Sequence, residues 1–323
     1  MTPPPNLTRA YAAIGASILA TAFAPIYYRL AMAEDVSPMV ITFVRLALSA
    51  LLLTPLSLYQ GRAEWQALPK RTWGLGLLAG ALLTCHFILL FSAVGATSVL
   101  IATVFINTST VWVGVLEMGL LKEKFGPNLW WGMGLVMLGG LLIALSKTLA
   151  ADGRLDFGGE DLLGAGFALL SAWLAAGYVV IGRKLRGGQM STLVYISLVY
   201  SCGAVVAGLA LLINGDTLLG YSREAYFWLA IITLLPQILG HSSMNYALSR
   251  LPGTLILIIG QVSTPIAALG AFVVLSELPT PLQILGSAVI LGGILLSIHR
   301  GPARRPAFLS GRYSLSEVGE RSK

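Results

Sequence analysis

The chain has 323 residues, of which 56% are hydrophobic and only 11% charged. Its mean hydropathy of +0.80 excludes an ordinary soluble domain, in which about a quarter of residues are charged. The formal net charge of +7 would suit nucleic acid in a soluble protein; here the basic residues report on orientation in a membrane, and no nucleic-acid partner is expected.

Charged residues leave long gaps, such as Arg71 to Glu117 and Arg250 to Glu277. Each gap holds the ~20 apolar residues a helix needs to cross a bilayer. Lipid offers backbone amides no partner, so the runs are predicted to be helical. In chain order ten spans are expected, near residues 10–31, 38–60, 73–94, 97–120, 127–147, 162–182, 191–213, 225–248, 253–276 and 281–298. The first resembles a signal peptide at Ala31-Met32-Ala33. Its apolar run is too long for a signal core, and Tyr27, Tyr28 and Arg29 precede the cleavage-like site, so a retained span is expected. Residues 301–323 are polar and basic and read as a disordered cytoplasmic tail. Cys85 and Cys202 lie inside spans and imply no disulfide framework.

The chain also repeats itself. EKFGPNLWWG at 123–132 and ELPTPLQILG at 277–286 are 154 residues apart, pairing Glu123 with Glu277, Pro127 with Pro281 and Gly132 with Gly286. The same offset pairs Asn107-Thr108-Ser109-Thr110 with Gln261-Val262-Ser263-Thr264. MLGG at 137–140 matches ILGG at 290–293 after a shift of one residue. Residues 1–150 therefore read as one five-helix repeat and 151–300 as a second. Five spans is an odd number, so the second copy enters the membrane inverted.

Charge sets the expected topology. With the N-terminus in the cytoplasm, the inner side holds sixteen basic residues: Arg9, Arg62, Lys70, Arg71, Lys122, Lys124, Arg183, Lys184, Arg186, Arg250, Arg300 and five in the tail. The outer side holds four, Arg29, Lys147, Arg154 and Arg223, and Arg45 stays within a span. Both termini are thus expected inside, in a plasma (bacterial inner) membrane.

Polar groups at membrane depth are costly and are functional candidates. Asn107, Thr110 and Gly114 share one face of span four, and Gln261, Thr264 and Ala268 the matching face of span nine; they line a substrate cavity or glue helices together. Trp173 and Tyr178 are candidate apolar walls. Arg45 either snorkels outward or holds a substrate carboxylate. His86 and His241 either carry protons, the candidate coupling ion, or are neutral bridges between helices. Glu117, near the inner end of span four, could reach water and serve a proton or cation. Glu123 and Glu277 precede helices that begin at Pro127 and Pro281 and are expected to be structural. Pro25, Pro236 and Pro265 should kink their spans. Trp73, Trp130, Trp131, Tyr226 and Trp228 read as interfacial anchors.

With the paired segments LKEKFGPNLWWGMGLVMLGG and LSELPTPLQILGSAVILGG, the doubled unit resembles the EamA type of the drug/metabolite transporter superfamily over residues 9–299. The first copy departs at KEK, where a small residue more usually precedes the glutamate. The resemblance implies a secondary transporter with a central cavity between the repeats, spans five and ten as scaffold and the others gating. It implies a small metabolite as substrate, amino-acid export being the specific expectation and aromatic amino acids its narrowest form. The rivals are a membrane-embedded enzyme and a channel. No HExxH, nucleophile elbow, closely spaced acid pair, Walker motif, metal-ligand spacing or selectivity filter is legible. Neither cofactor nor metal is expected.

Overall fold

The computed structural model describes residues 7–97, 99–150, 159–187, 190–266, 269 and 280–298. Every regular element among them is a helix. Eight segments are long and apolar enough to cross a membrane, and two shorter apolar helices, Val104–Leu120 and Gly253–Ile266, bring the total to the expected ten. Glu277, the tail and most of the second half of span nine lie outside the described residues.

The duplication is visible in the element boundaries. Span two covers Pro38–Gln60 and span seven covers Thr192–Asn214, so both begin and end 154 residues apart. Their caps repeat as well: Ser37 accepts from Val40 N–H, and Ser191 accepts from Val194 N–H. A serine hydroxyl at this position satisfies an amide that the first helical turn leaves free. Spans five and ten begin at Pro127 and Pro281, again at that offset.

Helix packing follows the same symmetry. Span five packs on span ten and span two on span seven, while span three packs on span six and span one on span eight. Exchanging the halves leaves the first two pairings unchanged and turns the third into the fourth. Spans five and ten meet through glycine. A Cβ on Gly286 would stand 2.7 Å from the Gly139 carbonyl, and one on Gly293 would stand 2.6 Å from the Gly132 carbonyl. The contacts Gly139·Gly286 and Gly132·Gly293 exchange with each other when Gly139 is made equivalent to Gly293 at the unbroken offset of 154 (139 + 154 = 293), so the one-residue shift expected from MLGG and ILGG is not used. Close approach of this kind is how helices associate where lipid supplies no hydrophobic drive. Replacing Gly139 or Gly286 by Val forces the backbones apart. Each change should cost about 1–3 kcal/mol or more, read as a lower melting temperature in detergent; Gly134→Val, where a Cβ meets nothing within 4 Å, should not.

The expected prolines fall at irregularities of their helices. Span one breaks at Ala22-Phe23, and Pro25 opens its second helix, Ala24–Ala33. Pro236 lies in a π-helical stretch, Thr233–His241. Pro55, not singled out in the sequence, sits inside span two. Trp73, Trp131 and Tyr226 are exposed near helix ends, whereas Trp130 packs toward Gly114. Both cysteines are free thiols.

Candidate functional site

Span four is interrupted at Thr108 and span nine at Gln261-Val262. These positions are equivalent in the two copies (108 + 154 = 262). At both breaks the backbone tightens to three-residue steps: Thr108 N–H donates to Phe105 and Val111 N–H to Thr108, while Gln261 N–H donates to Ile258 and Thr264 N–H to Gln261. Pro265 explains the second break, since it has no N–H to offer the Gln261 carbonyl. In the first copy the Thr108 hydroxyl donates to the Phe105 carbonyl and competes with helical bonding.

The two breaks meet. Gln261 Nε2 donates to Asn107 Oδ1 at 3.3 Å. Residues that are equivalent in two copies and also touch each other must straddle the axis relating the copies. A second such pair is Phe87 and His241 (87 + 154 = 241), whose rings meet edge to face at 5.4 Å. The pseudo-twofold axis thus passes through Asn107·Gln261, through Phe87·His241 and between the crossing glycines of spans five and ten.

The remaining candidates fall into separate groups. Thr110 is buried and Thr264 half-buried on the faces that carry Asn107 and Gln261, and Ala268 lies outside the described residues. Trp173 is half-exposed and stands edge to face with Trp112 at 5.0 Å; the Trp112 indole donates to the Thr108 hydroxyl at the break. Tyr178 does not join them. It is buried elsewhere, beside Tyr195 and Tyr200, and its hydroxyl accepts from Asn245 Nδ2 at 2.7 Å. His86 bridges spans three and six through Ser171, whose hydroxyl lies 2.8 Å from Nδ1.

Arg45 does not snorkel. It is completely buried and turned inward. Its Nε donates to Gln237 Oε1 at 2.9 Å and its Nη1 to the Tyr28 hydroxyl at 2.8 Å, and the guanidinium lies 3.9 Å from the Phe87 ring centroid. Among the described residues no carboxylate pairs with it. A cation–π contact is worth about 0.5–2 kcal/mol, and the effective cost of burying an ion is several kcal/mol. Tyr28 and Gln237 were not candidates from sequence. Neither carries a charge at neutral pH or belongs to a motif, and only the turn of Arg45 toward span eight brings them together.

A third group closes the end of the bundle where spans four, six and eight finish and span nine begins. Glu117 is fully buried and does not reach water. Its carboxylate accepts Gly253 N–H at 2.6 Å, Thr254 N–H at 3.0 Å and the Thr254 hydroxyl at 2.7 Å. It therefore caps the first turn of span nine, where free amides and the helix dipole favour an anion. Beside it Arg183 pairs with Glu123 at 3.3 Å and donates to the Leu248 carbonyl at 2.7 Å. Glu123 is thus held by an ion pair to span six rather than by the helix that starts at Pro127. Arg186 donates to the Asn245 carbonyl and to the Thr192 hydroxyl. No group of His, Cys, Asp and Glu suited to a metal ion occurs among the described residues.

Comparison with known proteins agrees with this architecture. A solved structure described only as a crystal structure of a protein superposes with a TM-score of 0.76 at 16% identity, covering 90% of this chain and 97% of its own. At that identity it speaks for the fold alone. An uncharacterized transporter of Bacillus subtilis (strain 168), YwfM, is 30% identical over 119 residues. That match spans 36% of this chain and 37% of the relative. The model of the EamA-like transporter family matches twice, over residues 8–145 and 162–299, one match for each five-helix repeat. The chain is a two-repeat integral membrane protein of the EamA-like transporter family.

Proposed function

We propose that the protein is a secondary transporter that moves a small neutral or zwitterionic, partly apolar metabolite by alternating access. Amino-acid export is its specific form, with aromatic amino acids the first to test. One observation carries the reading: two interrupted helices, one from each repeat, meet on the pseudo-twofold axis at Asn107·Gln261. Broken helices at a repeat interface expose polar backbone and side chains at mid-membrane, where a transporter needs its site. Uncharged amides and hydroxyls (Asn107, Gln261, Thr110, Thr264) suit a ligand without net charge. The Trp112–Trp173 pair beside the break supplies apolar surface.

The sixteen-to-four distribution of basic residues supports placing both termini in the cytoplasm, in a plasma (bacterial inner) membrane. In that orientation the Glu117 and Arg183 clusters lie at the cytoplasmic end, which we read as the closed one. Protons are the proposed coupling ion. Of the two histidines, His241 is the better carrier, because its Nδ1 has no partner while His86 is tied to Ser171.

Proteoliposomes loaded with labelled L-phenylalanine or L-tryptophan test this. Protein-dependent movement without chemical change, accelerated by an imposed pH gradient, is expected. A chemically altered product would indicate an enzyme. Protein-dependent flux that does not saturate would indicate a channel.

A further inference from the structure

The group around Arg45 is built for an anion that none of the described residues supplies. Arg45 and Gln237 are both completely buried. Three buried nitrogens in this neighbourhood lack a hydrogen-bond partner: Arg45 Nη2, Gln237 Nε2 and His241 Nδ1. Two of them are donors on side chains already bonded to each other: Gln237 gives its oxygen to Arg45 Nε, and its amide nitrogen has only the nearby Tyr200 hydroxyl, outside regular hydrogen-bond geometry. The third sits on a ring packed against Phe87, the same ring that the guanidinium covers. Buried polar groups in folded proteins are nearly always satisfied, and a buried cation needs a counter-charge. Here the unmet demand is for an acceptor bearing negative charge. A planar guanidinium with a free edge, flanked by an amide N–H, matches the two oxygens of a carboxylate.

We propose that Arg45 and Gln237 form a binding site for a carboxylate carried by the transported solute. The site rests on the transport reading for its occupant and adds to it the residues that hold the solute's carboxylate. Its place fits that reading, since the Phe87·His241 pair beside it straddles the same axis as Asn107·Gln261. A solute whose carboxylate meets Arg45 would lay its remaining atoms along the repeat interface, over Phe87 and His241. Arg45 has no counterpart in the second copy, where Val199 occupies the equivalent position (45 + 154 = 199). The site is therefore one-sided, and the solute binds in a single orientation.

The test uses the purified full chain in detergent and reads melting temperature against sodium propionate, propionamide and sodium chloride. Propionate should raise the melting temperature in a saturable way, with propionamide and chloride at equal concentration giving little. An equal rise with chloride would mean a site for any small anion and would overturn the assignment to a carboxylate. No rise with propionate beyond propionamide would overturn the site altogether. Gln237→Glu provides a second reading independent of ligand access: an internal carboxylate beside Arg45 should raise the melting temperature and abolish the propionate response. A lowered melting temperature with the response intact would contradict the proposal. Arg45→Gln, if it folds, should weaken the apparent propionate affinity at least tenfold. None of these readings depends on flux. Propionate binding without amino-acid transport would leave the anion site standing and sink the transport reading; transport without the propionate response would do the reverse.

Discussion

Glu117→Ala should open the sealed end of the bundle. Its carboxylate accepts two backbone amides and a hydroxyl from the first turn of span nine. Hydrogen bonds to charged groups contribute about 1.5–3 kcal/mol each. Inverting a 99:1 equilibrium takes about 5.5 kcal/mol. Loss of three such bonds is therefore enough to move much of the population away from the closed form. A cysteine at Leu251, which is buried beside this cluster, reports the change once Cys85 and Cys202 are replaced. Its labelling by an impermeant maleimide in opened vesicles should rise at least tenfold in the Glu117→Ala background, and amino-acid flux should fall. Unchanged labelling with a lower melting temperature would mean that Glu117 only clamps the helix. Glu117→Gln keeps an acceptor oxygen and should lie between the two.

Arg183→Ala carries the next largest effect. The substitution removes the bond to the Leu248 carbonyl and leaves Glu123, itself only 9% exposed, without its cation. Breaking a buried pair from one side typically costs about 3–5 kcal/mol. The lower end applies here, since the pair lies near the end of the bundle. Removing the orphaned charge should recover part of the loss, so Arg183→Met with Glu123→Gln should melt above Arg183→Ala alone. The coupling between the two sites, measured as a double-mutant cycle on melting, should be favourable. Additive losses would show that the two side chains do not depend on each other.

Much of the fold was legible because lipid leaves the backbone few choices. Ten apolar runs had to be helices, and the offset of 154 fixed which helices are equivalent. Span two was read to the residue, because Ser37-Pro38 and the Gln60-Gly61 turn mark its ends in sequence. The interruption at Thr108 was not legible. No proline or glycine marks it, and the polar set Asn107–Thr110 at that place reads equally well as one face of an unbroken helix. The partners of Asn107 and Phe87 could be found only by adding the offset and asking whether equivalent residues touch, a contact that symmetry permits but does not require. Arg45 was visible as a lone charge, but its direction depends on where Gln237 lies, and the π-helical stretch around Pro236 sets that. Glu117 looked water-facing because it is three residues from Leu120, where the span ends. Burial came from span nine folding its first turn over the carboxylate, a long-range event with no local signal.

The decisive measurement is the affinity of L-phenylalanine, or whichever amino acid the proteoliposomes carry, for Asn107→Ala and Gln261→Ala, taken alongside melting temperature. If the solute binds where the two broken helices meet, each change leaves a ligand group or its partner unsatisfied. Binding should then weaken by about 1–3 kcal/mol, roughly five- to more than one-hundred-fold, with only a modest change in melting. Unchanged affinity with a lower melting temperature in both variants would contradict the site and reduce Asn107·Gln261 to a polar bridge between helices.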